Sequence, residues 1–573
     1  MRRFLTIFIL LLLPGSALAI DLTIRIKGLD RAQKANVRAF LSVEQEKDRE
    51  GLTPSRLHLL HKQAPDEIRQ ALQPFGYFKP EIDSSLKEED GRFEVVYKID
   101  AGRRVKLDNV DYQVLGEGSG EALLKADFPL AKGDALDLQL YQKAKSARLS
   151  QALELGYLDA EYTSHEVRVD QEHDTAQIEL HLDTGIRFQF GEIRMQQDIL
   201  DAEFLARYLS FGAGDPYSND KLLELQSKLI DSEYFKQVEV NVRRDEVEGN
   251  RIPVDIELKP NRKNRYRIGL GYSTDTGPRI TLDWKRRRFG RQGHHMRSEL
   301  RLSNPESSLS SEYIIPLQRP TVDYLSFGAS IDYFDQETSK GSRALLNASH
   351  SISMERGWRR TLSLDYLFED YTVGSQDDSS HLLIPGISWT RLKGDSRKYI
   401  TKGKRLEFHL EGASKDLLST TNYSQFYTTD KFIRGLNEDW RVLARLELGA
   451  TLVNDIQELP PSKRFYTGGD NSVRGFSFEE IGPRDDQGDV IGGRYLAVAS
   501  LELERRIAGL WSAAVFLDGG NAYDPDYPSE AAYGAGVGIR WRSPVGPIRF
   551  DLAQGHYRDK RTWRLHVVLG PEL

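Results

Sequence analysis

Residues 440–452 have the sequence WRVLARLELGATL, and its pattern decides the fold of the second half of the chain. Apolar and charged side chains alternate along it. Trp440 and Val442 would lie on one face of an extended strand, and Arg441 and Glu447 would lie on the other. Strict period-two alternation predicts a strand that separates two unlike environments.

The same alternation recurs from about residue 265 to the end of the chain. It is found in RYRIGLGYS (265–273), RTLSLDYLF (360–368), RLEFHLEGA (405–413) and TWRLHVVLG (562–570). Apolar residues that meet lipid and polar residues that meet a wet lumen are typical of a transmembrane β-barrel. A soluble β-sandwich is the alternative, but the aromatic strand ends favour the barrel. At about 19 residues per strand with its turns, residues 265–573 predict about 16 strands.

The amino terminus has the three parts of a secretory signal peptide. Arg2 and Arg3 precede an apolar run over 4–13, and Ala17 and Ala19 frame a small-residue cleavage site. We therefore predict a signal peptide over 1–19 and an exported mature chain. The sequence has no cysteine, which excludes disulfides and thiolate metal sites, and its net charge of −7 argues against nucleic-acid binding.

Three similar stretches precede the alternating region. In each, a helical pattern runs into a tyrosine (Tyr77, Tyr157 or Tyr234) and then into strand-like residues. Each unit predicts strand, helix, helix, strand, strand (βααββ), an α+β module. The sequence predicts modules over 20–103, 104–186 and 187–264, followed by the barrel over 265–573. These modules resemble POTRA domains, whose open sheet edge can add an incoming strand.

One long segment interrupts the alternation between strands. Residues 464–493 have the sequence RFYTGGDNSVRGFSFEEIGPRDDQGDVIGG, far longer than a hairpin turn. Its aromatic residues, among them Phe465 and Phe478, are unusual in a solvated loop. We therefore expect the segment to fold back into the lumen.

The centre of this segment, Val473-Arg474-Gly475-Phe476, resembles the motif of the BamA/TamA superfamily of outer-membrane assembly and secretion barrels. AVASLELERR (497–506), FLDGGNAY (516–523) and the hairpin sequence over 536–553 also resemble stretches of that family. The stretch over 516–523 resembles the family's Phe-x-Asp-x-Gly segment, with Phe516, Asp518 and Gly520 at the three named positions.

The resemblance implies that Arg474 reaches Glu502 and Asp518 from inside the barrel. Alternation supports this independently, because Leu501 and Leu503 would face lipid and place Glu502 toward the lumen. A guanidinium can make bidentate, charge-assisted bonds to such carboxylates.

Three modules fit the TamA branch of the superfamily. That branch implies a weak seam between the first and last barrel strands. In this sequence Gly269 and Gly271 lie on the first strand, and Leu569 and Gly570 lie on the last. Glycine weakens strand pairing. It also implies outer-membrane localisation with periplasmic modules. The implied partners are nascent client proteins, outer-membrane lipid, and a TamB-like inner-membrane-anchored protein docking on the third module.

The expected function is therefore the insertion and assembly of β-barrel outer-membrane proteins and autotransporters through the seam. A passive porin-like channel and a two-partner secretion transporter are the alternatives. A lipase-like enzyme would need a Ser/His/acid set that the sequence does not reveal. We predict no catalytic residues, no cofactor and no metal.

Overall fold

A computed structural model describes residues 21–49, 52–89, 92–395, 400–527, 529–543 and 546–569. The predicted signal peptide and Gly570 lie outside these residues. The chain forms two compact units. One comprises residues up to 194 with 211–223 and 241–255, and the other comprises 195–210, 224–240 and the chain from 256 onward.

The first module packs helices on a three-stranded sheet. Its elements are β1 (Asp21–Lys27), α1 (Arg31–Phe40), α2 (Ser42–Glu46), α3 (Pro54–Leu72), β2 (Glu81–Glu89) and β3 (Arg92–Asp100). A capping box between Asp30 and Gln33 starts α1, and Thr53 caps α3. Alternate residues of β3, such as Val95 and Tyr97, are buried against the helices.

The second and third modules repeat this plan. Their elements are β4 (Lys106–Leu115), α4 (Ala122–Lys125), α5 (Leu138–Glu154), β5 (Glu161–Asp170), β6 (Thr175–Asp183), β7 (Gln189–Gln196), α6 (Ala202–Ala206), α7 (Asn219–Asp231), β8 (Phe235–Val242) and β9 (Arg251–Pro260). The sheet orders are β1-β3-β2, β4-β6-β5 and β7-β9-β8, so the last strand of each module is central. This confirms the three predicted α/β modules. Within the described residues, no helix is long and apolar enough to cross a membrane.

Sixteen antiparallel strands form a closed barrel, as predicted. They are β10 (Asn264–Ser273), β11 (Gly277–Phe289), β12 (His294–Ser303), β13 (Glu306–Pro316), β14 (Asp323–Asp335), β15 (Ser339–Ser353), β16 (Trp358–Val373), β17 (Gln376–Gly394), β18 (Lys402–Ala413), β19 (Tyr423–Gly435), β20 (Trp440–Leu452), β21 (Tyr495–Ala508), β22 (Trp511–Tyr523), β23 (Ala532–Ser543), β24 (Gly546–Tyr557) and β25 (Lys560–Leu569).

The two faces of the barrel differ as the alternation requires. Apolar side chains such as Ile268 and Leu364 project outward and are exposed, in the position where lipid would cover them. Charged side chains such as Glu369, Arg441 and Glu504 are buried on the inner face. The strands thus create an enclosed polar wall that can hold a segment of the chain.

Candidate functional site

The segment between β20 and β21, which we call the lumen loop (residues 453–494), packs against the inner face of the barrel. Isolated backbone bridges pair Phe465 with Gly493 and Thr467 with Ile481, so the loop folds back on itself. Its apolar side chains, including Val473 and Phe476, join inward-facing wall residues in one buried cluster. The loop therefore has a core of its own with the barrel wall.

Arg474 makes a bidentate ion pair with Asp518. Its Nε lies 2.7 Å from Oδ2 of Asp518, and its Nη2 lies 2.9 Å from Oδ1. Nη1 donates to Glu502 at 2.8 Å and to Asp551 at 3.2 Å. The ring centroid of Phe516 lies 3.3 Å from the guanidinium carbon, which adds a cation–π contact. One buried arginine thus joins strands β21, β22 and β24.

A second arginine completes the cluster from the wall itself. Arg540 on β23 donates to Glu502 at 2.8 Å and to Asp551 at 2.5 Å. The carboxylates of Glu502, Asp518 and Asp551 are all buried, and each is ion-paired to Arg474. Since an unpaired buried charge costs several kcal/mol, removing Arg474 alone would leave these carboxylates poorly compensated.

Glycine residues let the loop backbone approach the wall. Gly475 has φ +99°, and a Cβ there would lie 2.4 Å from the backbone nitrogen of Gly555. A Cβ on Gly555 would in turn lie 2.7 Å from the Phe476 ring. Within the wall itself, Gly520 on β22 has φ +142°, and a Cβ there would lie 2.0 Å from the carbonyl oxygen of Ala497 on the neighbouring strand β21. These positions exclude side chains, so their glycines are structural requirements.

The described ladder between the first and last strands is short. Within the described residues, the β10–β25 ladder consists of Ser273 opposite Val568. The neighbouring β24–β25 ladder, by contrast, runs from Tyr557↔Lys560 to Ile548↔Leu569. Gly269 and Gly271 pair with β11 and have no partner on β25 in the described part of the chain. Leu569 is the final described residue of β25, and Gly570 lies beyond it.

Family comparison agrees with this architecture. The model of the Omp85 superfamily domain matches residues 264–572, more than half of the chain. The chain belongs to the Omp85 superfamily. A second model, the POTRA domain TamA domain 1, matches residues 23–101. The chain thus combines an Omp85 outer-membrane barrel with amino-terminal POTRA modules.

Curated relatives of this Omp85 protein include outer membrane protein assembly factors BamA. The one from Nitratidesulfovibrio vulgaris is 25% identical over 84% of this chain and 64% of its own length. The one from Neorickettsia risticii is 22% identical over 65% of this chain and 52% of its own. The chain therefore spans less than two thirds of either relative.

Among solved structures, BamA from Haemophilus ducreyi lacking POTRA domains 1–3 superposes with a TM-score of 0.67. The match has 17% sequence identity and covers 80% of this chain and 99% of that one. At this identity the likeness shows that the fold is shared.

Sequence patterns do not single out two groups of site residues. Arg540 and Asp551 lie in the hairpin that resembles the family, but no motif marks either residue. Asp470 of the lumen loop and His566 of β25 form a further buried contact, at 2.6 Å. Alternation was a usable signal for His566, since Leu565 and Val567 flank it on the lipid side of the strand.

Proposed function

We propose that this chain inserts and assembles β-barrel outer-membrane proteins and autotransporters through the seam between β10 and β25, as the TamA-type subunit of a translocation and assembly module. The observation that carries the proposal is the contrast, within the described residues, between the single β10–β25 pair and the long β24–β25 ladder. An edge with free backbone groups can pair with an incoming client strand.

The lumen loop supports this role over that of an open pore. Its buried cluster with the wall occupies lumen space that a solute channel would keep free. The ion pairs of Arg474 fix the loop to β21, β22 and β24. None of these three ion pairs involves a residue of β10. We assign Val473, Arg474, Gly475 and Phe476 the task of anchoring the loop.

A reversible lock of the seam tests the proposal. The chain has no cysteine, so Ser273→Cys with Val568→Cys introduces the only thiols. In liposomes of phosphatidylethanolamine and phosphatidylglycerol, the oxidised protein should fail to accelerate insertion of a urea-unfolded eight-stranded barrel, and reductant should restore it. A matched pair, Leu552→Cys with Leu565→Cys on β24 and β25, should leave insertion unchanged.

Three outcomes would contradict the proposal. Insertion that proceeds equally in the locked and unlocked protein would exclude a seam mechanism. A large steady conductance in planar bilayers without any insertion activity would favour the passive channel. Export of a single dedicated substrate, with no acceleration of barrel insertion, would favour the two-partner secretion transporter.

The third module has two sheet edges at which a partner strand could pair. Its sheet has the order β7-β9-β8, which leaves β7 and β8 as edges within that sheet. We propose that a TamB-like periplasmic protein docks on this module by strand addition. A photo-crosslinking residue at exposed Lys236 of β8 should capture it, and the same probe at exposed Lys87 of β2 in the first module is the control. Equal capture at both positions would contradict docking on the third module.

A further inference from the structure

Asp470 of the lumen loop is bonded to the end of the first barrel strand. Its side chain is fully buried. Its carboxylate accepts hydrogen bonds from the hydroxyl of Ser273 at 2.5 Å and from the hydroxyl of Thr274 at 2.7 Å. Its backbone N–H donates to the carboxylate of Asp275 at 2.6 Å. The loop thus holds the residues where β10 ends.

The same carboxylate also holds the last strand. Nδ1 of His566 lies 2.6 Å from Oδ1 of Asp470. The backbone N–H of Gly475 donates to Nε2 of His566 at 2.8 Å. Nε2 must therefore carry the lone pair, which places the ring proton on Nδ1 and makes His566 the donor to Asp470.

Further bonds join the loop to β25. The hydroxyl of Thr562 donates to the carbonyl of Gly475 at 2.6 Å, and Arg564 donates to the hydroxyl of Ser477 at 2.5 Å. Thr562, Arg564 and His566 are alternate residues, so one face of β25 meets the loop. Along this stretch the inner face of β25 is therefore bonded to the loop.

A divalent cation is the competing interpretation of this cluster. Asp275, Asp470 and His566 each bring one ligand atom within 4.8 Å of the others. A metal on Nδ1 of His566 would move the ring proton to Nε2, where it would face the N–H of Gly475. That clash favours a cluster organised by hydrogen bonds.

We propose that Asp470 is a positioning residue that closes the seam through a clasp formed by Asp470, Ser273, Thr274 and His566. The clasp supplements the single backbone pair that the described residues of β10 and β25 form: one carboxylate accepts from side chains of both strands. Withdrawal of the lumen loop would then release both strands at once. The release of the strands on loop withdrawal rests on the proposed function. The closure of the seam by the clasp does not depend on it.

Disulfide trapping measures seam closure directly. Tyr272→Cys with Leu569→Cys continues the register that Ser273 and Val568 define, and reports on the seam. Leu552→Cys with Leu565→Cys reports on the adjacent β24–β25 ladder. In the Asp470→Asn background the amide can no longer accept at both oxygens, and we expect the trapping rate to fall at least threefold at the seam and to remain unchanged at the control pair.

Two further variants separate positioning from general stability. His566→Leu removes the last-strand side of the clasp, because leucine has no donor for Asp470, and should lower seam trapping selectively as well. Asp486→Asn, at an exposed residue of the same loop, should change neither pair. Unchanged seam trapping in Asp470→Asn or His566→Leu would overturn the proposal, and so would an equal fall at both pairs. If the seam loosens while client insertion is unaffected, the clasp stands and the proposed function fails.

Discussion

The carbonyl oxygen of Arg474 lies 2.0 Å from the position that a Cβ on Gly534 would occupy. The tip of the lumen loop therefore rests on a strand that is bare at this point. The bidentate contact of Arg474 with Asp518 forms in the same place. The absence of a side chain at Gly534 is therefore needed for Arg474 to reach Asp518.

Gly534→Ala should therefore displace the loop. The overlap is with backbone, so no side-chain rotation relieves it, and we expect a loss of about 1–3 kcal/mol. The urea midpoint of the detergent-solubilised protein measures it. Gly328→Ala is the matched control, because its Cβ would meet Asn347 at an ordinary 3.6 Å. Equal midpoints for the two variants would contradict this account of the wall.

A double-mutant cycle tests the arginine anchor. Arg474→Ala leaves Asp518 without its bidentate partner, and we expect a loss of about 3–5 kcal/mol. Asp518→Ala removes one of the uncompensated charges, so the double variant should be more stable than the sum of the single losses predicts. Urea unfolding of the four proteins gives the coupling. Additive losses would mean that the two side chains act independently.

The wall residues of the site were predictable because strand alternation is strict. Leu501 and Leu503 face outward, so Glu502 must face the lumen, and the same argument applies to Asp518. The contact of Asp470 with His566 spans 96 residues of sequence. It depends on where the loop docks, which no local pattern contains.

The short ladder between the described residues of β10 and β25 illustrates a second limit of sequence. Gly269 and Gly271 predict weak pairing through local composition. In the structure, the end of β10 meets the end of β25 at Ser273 and Val568. That stagger is a property of barrel closure. It arises from all sixteen strands together rather than from the two that form the seam.

Glu233, in the segment before β8, should strengthen the start of the first barrel strand. Its carboxylate lies 2.8 Å from Arg265, 3.2 Å from Arg287 and 3.5 Å from Lys285. The site is partly solvated, so Glu233→Gln should cost about 1 kcal/mol. Thermal unfolding measures this loss. Glu239→Gln, at a half-buried residue of β8 whose partner Lys259 lies 4.0 Å away, is the control, and a larger effect there would contradict the assignment.

Seam stability should also depend on pH through Asp275, in the turn after β10. Its side chain is buried, and burial together with the charge of Asp470 raises its pKa to about 6. Arg564 faces it from β25 and opposes the rise, as does the backbone N–H of Asp470, which donates to its carboxylate; the ring of His566, with its single proton, also faces it. Oδ1 of Asp275 accepts no hydrogen bond, so its negative charge is poorly compensated.

A raised carboxyl pKa stabilises the folded protein at low pH, and that stability is lost as pH rises from about 4 through about 6. Trapping of the Tyr272→Cys/Leu569→Cys pair, normalised to the β24–β25 pair, should therefore be faster at pH 5 than at pH 7.5. Asp275→Asn keeps an oxygen for the N–H of Asp470 and carries no charge, so it should hold the fast rate at both pH values. A pH dependence that persists in Asp275→Asn would assign the titration to another group.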